Sequence, residues 1–81
     1  MALWTIQAAY DPEGHLWYTA DTDVPGLSTS GQTLEELRER AGLIIPELLE
    51  LNAHLLPADR LEGPHTLRIL AFHESVMPVA A

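Results

Sequence analysis

Three aspartates, Asp11, Asp21 and Asp23, are the side chains whose type best suits them to chemistry. Carboxylates that converge within a few ångströms can hold paired Mg²⁺ ions and hydrolyse phosphodiesters. Here Asp11 ends one alternating segment and Asp21 ends the next, so an antiparallel hairpin would hold the two apart. Turn formation, with each carboxylate accepting from nearby backbone N–H groups, is the expected role. The four histidines, His15, His54, His65 and His73, show no metal-ligand spacing, and the chain has no cysteine to join them. Ser28, Ser30 and Ser75 have no base at a readable spacing. "VPGLSTSG" lacks the glycine pattern and the lysine of a phosphate loop. The sequence therefore predicts no catalytic residue, no metal and no cofactor.

Charge sets the next bound. Twelve acids face four arginines, there is no lysine, and the formal net charge is −8 on 81 residues. Phosphate contacts need clustered Lys or Arg, so direct nucleic-acid binding is not expected. An acidic surface steers a basic partner into place, or serves solubility alone. A chain this short buries a modest share of its surface, which predicts a homo-oligomer or a partner. No apolar run approaches the ~18 residues of a membrane span. The N-terminus lacks a signal peptide's basic flank, and a cytoplasmic protein is expected.

The elements that must position these groups are legible in part. Residues 3–10 alternate, with Trp4, Ile6, Ala8 and Tyr10 on one face, as a strand requires. The stretch "DPEG", 11–14, supplies a turn in which Gly14 tolerates positive φ, and 15–20 resumes the alternation. Pro25 and Gly26 turn the chain again, and 27–30 reads as a short third strand. "TLEE" is a capping box: Thr33 accepts from the Glu36 N–H, and the Glu36 side chain reaches back to the Thr33 N–H. From there Leu34, Leu37, Ala41, Ile44, Ile45, Leu48 and Leu51 form a core-facing stripe. Pro46 interrupts it, predicting a kink or two helical pieces, with Asn52 at the C-terminus. A loop over 54–64 leads to a last strand over 66–73. The expected fold is α+β in the order β-β-β-α-β: a small antiparallel sheet with one long, proline-interrupted helix on one face. Residues 1–81 form a single domain.

The segments "AAYDPEGHLWYTADTDVPGL", "TLEELRER" and "IIPELLELN" resemble the HicB-like antitoxins, and most closely their small stand-alone branch. The matching positions are Asp23, Pro25, Gly26, Thr33, Leu34, Glu35 and Glu36, with 44–52 matching the branch. The resemblance implies a partial ribonuclease H-like sheet and helix used for binding, not for nuclease chemistry. It also implies a partner: a HicA-type toxin, a small ribonuclease that cleaves messenger RNA. Many HicB proteins carry a C-terminal DNA-binding module, and too few residues follow the last expected strand to form one.

Three functions follow as expectations. The first is a non-catalytic antitoxin-type protein that neutralises a basic toxin through Asp21, Asp23, Glu35 and Glu39. The second is a stand-alone oligomeric module with no toxin. The third, a degenerate hydrolase using the aspartates, is the least supported.

Overall fold

A computed structural model of the chain describes residues 2–72 and 77–80. His73 and Ser75 lie outside these described residues, as does the expected end of the last strand. The elements are β1 (Ala2–Asp11), β2 (Leu16–Thr22), β3 (Ser30–Gly31), α1 (Leu34–Leu51) and β4 (His65–Ala71). Two short 3₁₀ turns, Ala53–Leu55 and Ala58–Arg60, lie between α1 and β4. The α+β class and the element order are those the sequence predicts.

The sheet order is β3-β2-β1-β4, and one pairing differs from expectation. β2 pairs antiparallel with both β1 and β3, whereas β4 lies parallel to β1. The sheet is therefore mixed, not antiparallel. The chain crosses the sheet through α1 before β4 forms, and a crossover of that length permits parallel pairing. β3 is only Ser30–Gly31, later and shorter than the expected 27–30, and Arg40 Nη1 donates to the Ser30 carbonyl at 2.9 Å, tying that edge to the helix. In the first hairpin the left-handed residue is His15 (φ 53°), not Gly14.

The core is built as the alternation requires. Ala2, Trp4, Ile6 and Ala8 are buried on the face that meets Leu37, Ala41, Ile45 and Leu49 of α1, with Val24 and Leu27 sealing one end. The helix stripe is narrower than the sequence suggests. Ile44 and Leu51 are exposed and Leu49 is buried, so the interior face follows an unbroken four-residue spacing. Pro46 does not divide the helix. It is an exposed residue within one continuous α1, and its missing N–H leaves that turn one helical bond short.

The cap differs in one detail. Thr33 accepts from the Glu36 N–H at 3.0 Å, as predicted, but the Glu36 carboxylate receives the Gln32 N–H at 3.4 Å, not that of Thr33. Asn52 ends α1, and its Nδ2 donates to Leu48 O at 3.0 Å and to Pro25 O at 3.4 Å. That second bond fastens the helix end to the Pro25–Gly26 turn. The Leu27 N–H closes this turn on Val24 O at 3.2 Å, with Gly26 at φ 77°. Proline at the second position and positive-φ glycine at the third make it a type II turn.

Candidate functional site

β1 is longer than the strand beside it. β2 pairs with β1 from Ile6 onward, so the first residues of β1 have an open edge on that side. Three side chains close it. Thr22 Oγ1 donates to Thr5 O at 2.7 Å, the Thr5 N–H donates to Asp23 Oδ1 at 2.8 Å, and Arg60 Nη1 donates to Leu3 O at 3.0 Å. They supply the bonds an absent strand would make, which matters because unpaired backbone groups are costly once shielded from water.

The same side chains bind one another. Arg60 Nη2 meets Asp23 Oδ2 at 2.8 Å, and the Arg60 guanidinium lies 4.0 Å from the centroid of the Trp4 ring. A guanidinium can stack on an aromatic face and still donate from its edge, as it does here. Trp4 is buried but not idle: its Nε1 donates to His65 Nδ1 at 3.1 Å. The acceptor role leaves the His65 ring proton on Nε2. His65 thus joins the start of β4 to the core.

Beside this clamp the outer sheet face forms a cleft of about 260 Å³ lined by Thr5, Gln7, Asp21, Thr22, Asp23, Arg68 and Leu70. A bulge shapes it. The register shifts from Gln7↔Asp21 to Ala8↔Thr19, leaving Ala20 as the extra residue and placing Asp21 across from Gln7. Arg68 Nη2 reaches Thr5 Oγ1 at 3.2 Å along the cleft floor.

The aspartates do not converge as a trio. Asp11 accepts the Glu13 N–H at 3.0 Å at the far end of the hairpin, and Asp21 pairs with Gln7, four residues along β1 from Asp11. At strand rise that is about 13 Å. Asp21 and Asp23 share the cleft, but Asp23 is committed to Thr5 and Arg60. Asp21 is exposed and accepts the Thr22 N–H at 3.0 Å. Among the described residues, no three His, Cys, Asp or Glu side chains cluster in a way that could hold a metal.

The helix acids stand apart from this cleft. Glu35 lies 3.7 Å from Arg38 on exposed surface, and Glu36, half-buried, lies 2.9 Å from Arg40. Glu39, Glu47 and Glu50 make no ion pair among the described residues, and all three are exposed. Exposed apolar side chains lie with them: Leu43 is 82% exposed and Leu51 66%. Positions 39, 43, 47, 50 and 51 recur at the three- and four-residue spacing that places them along one flank of the helix. That flank of α1 is a mixed acidic and apolar surface.

Sequence reasoning did not find Arg60, Thr22 or the Trp4–His65 bond. Arg60 has no local signal: it is a single cation in a loop, and its partners are 37 and 57 residues away.

A family model described as a domain of unknown function (DUF1902) matches residues 3–79. No curated protein matches the chain. Among solved structures, the chain is similar to that of a hypothetical protein from the extremely thermophilic bacterium Thermus thermophilus. The two are 39% identical with a TM-score of 0.74, over 93% of this chain and 99% of the other.

Proposed function

The chain belongs to the DUF1902 family, and from the resemblance of its Pro25–Gly26 turn and capped helix to the HicB-like antitoxins, together with the surface just described, we propose a binding protein of that type. It acts in the cytoplasm without catalysis, and its partner is a basic, mRNA-cleaving HicA-type toxin. The observation that carries this reading is the exposed flank of α1, where Glu39, Glu47 and Glu50 share one side of the helix with Leu43 and Leu51 and make no ion pair among the described residues. Acids interspersed with apolar side chains suit a basic partner: the charges speed encounter and the apolar contact holds the complex. The net charge of −8 acts in the same direction.

Of the acids singled out in the sequence, Glu39 and Asp21 are the freest to meet a partner. Glu35 shares its carboxylate with Arg38, and Asp23 can contribute only by releasing Arg60. The test is coexpression with the product of an adjacent small, basic reading frame. Copurification, with protection of mRNA from cleavage, is the expected result. A basic neighbour that neither copurifies nor is inhibited would remove the proposal.

A second reading, a stand-alone oligomeric module without a toxin, draws on the apolar side chains near the C-terminal end. Leu70, Phe72, Met77 and Val79 are all substantially exposed. Light scattering showing a stable oligomer, with no effect on any ribonuclease, would favour it.

A further inference from the structure

The two edges of the sheet are treated differently. β3 is two residues long and tied to α1 through Arg40. β4 is seven residues long, pairs with β1 without a register shift, and is the last strand in the sheet order. It carries no proline, lysine or bulge of the kind that blunts an exposed edge.

The direction of its free groups can be read from one bond. The Ala2 N–H donates to Pro64 O at 3.1 Å, so the backbone groups of residue 64, and by alternation those of Thr66, Arg68 and Leu70, face β1. Those of His65, Leu67, Ile69 and Ala71 face outward. Beside that edge, between β4 and α1, runs an apolar groove in two adjoining parts of about 400 and 170 Å³. Ile45, Pro46 and His65 line both parts.

We propose that this edge pairs with the same edge of a second copy, antiparallel and centred on Ile69, to make one eight-stranded sheet. Charge selects a second copy at this place. Two chains of net charge −8 repel, and between Glu62 and Glu74 the chain carries no acid at all. The register follows from the side chains. Centring on Arg68 would set two arginines face to face, which opposes pairing. Centring on Ile69 sets Leu67 opposite Ala71 on the inner face and Leu70 opposite Arg68 on the outer face. It also sets Phe72, 77% exposed, opposite Thr66, whose neighbour across the sheet is the exposed Leu3. The pairing satisfies the outward backbone groups and covers Leu3, Leu70 and Phe72 together. Of the α1 flank, Glu50 also lines the groove beside this edge, whereas Glu39, Leu43 and Glu47 lie outside its lining, so the pairing does not depend on the toxin proposal.

The test uses the full chain. Sedimentation equilibrium should give wild type twice the 8.9 kDa chain mass. Ala71→Pro removes one outward N–H without touching a bond to β1, and should shift the species to the single-chain mass with an unchanged far-UV spectrum. Because the chain has no cysteine, Arg68→Cys/Leu70→Cys reports the register directly. Those two positions form a non-hydrogen-bonded pair between copies, about 4.5 Å apart between Cα atoms, within disulfide reach. Oxidation should then link two copies. A wild type that stays at 8.9 kDa at all concentrations overturns the proposal. So does a dimer that the double-cysteine variant fails to cross-link, even if Ala71→Pro does not fold.

Discussion

Asp23 and Arg60, 37 residues apart in sequence, meet at 2.8 Å beside the open edge of β1 and hold it from both ends. Asp23 takes the Thr5 N–H and Arg60 gives to the Leu3 carbonyl, so the ion pair doubles as a short piece of strand. The pair also stitches the turn after β2 to the loop before β4. An acid that looks like a docking or catalytic group in the sequence is, in the fold, part of the backbone's hydrogen bonding.

Removing that carboxylate should therefore cost stability. Asp23→Ala should destabilise the chain by about 1–2 kcal/mol, mostly from the charge-assisted bond to Thr5, since the side chains are part-exposed and screened. Asp23→Asn keeps an acceptor for Thr5 and should cost under about 1 kcal/mol. Urea unfolding of the three proteins checks the order. Equal stability of Asp23→Ala and wild type would show that the clamp contributes nothing.

Gly31 should tolerate no side chain. A Cβ there would sit 2.6 Å from the Leu37 backbone nitrogen, and α1 would have to move away from β3. Gly31→Ala should lower stability by about 2 kcal/mol, in the range of overpacked cores. Thermal unfolding measures it. A variant that melts with wild type would mean that the β3–α1 contact yields freely.

These two sites show what the sequence made readable. Alternation in β1 was legible because Trp4, Ile6 and Ala8 all face one helix, and burial with period two leaves a plain trace. The Thr33 cap and the Pro25–Gly26 turn were legible because their bonds span three residues or fewer. The parallel placement of β4 was not, because pairing direction is settled by where the α1 crossover delivers the chain. The helix face was half legible. Leu43, Ile44 and Ile45 are consecutive, and only packing against the sheet and the Val24–Leu27 turn selects Ile45. The Asp23–Arg60 clamp had no local pattern at all.

Pro46 carries a different expectation. Its ring leaves the Gly42 carbonyl without the helical N–H it would otherwise receive, and both residues line the groove beside β4. Pro46→Ala restores that donor and should stabilise the monomeric fold by about 1–3 kcal/mol. Unfolding of the variant at low concentration checks the sign. A loss of stability would show that the proline ring fills space the groove needs.

The proposed binding through the α1 flank is tested most directly by the association rate of the chain with a basic product encoded by an adjacent small reading frame, followed across ionic strength. Wild type is compared with Glu39→Lys/Glu50→Lys. Fast, strongly salt-dependent association is expected for wild type. The variant should bind at least about tenfold more slowly, with a flatter salt dependence, because steering is lost while the fold is kept. No complex with the basic product, or equal rates for the two proteins at low salt, would contradict a docking role for this flank.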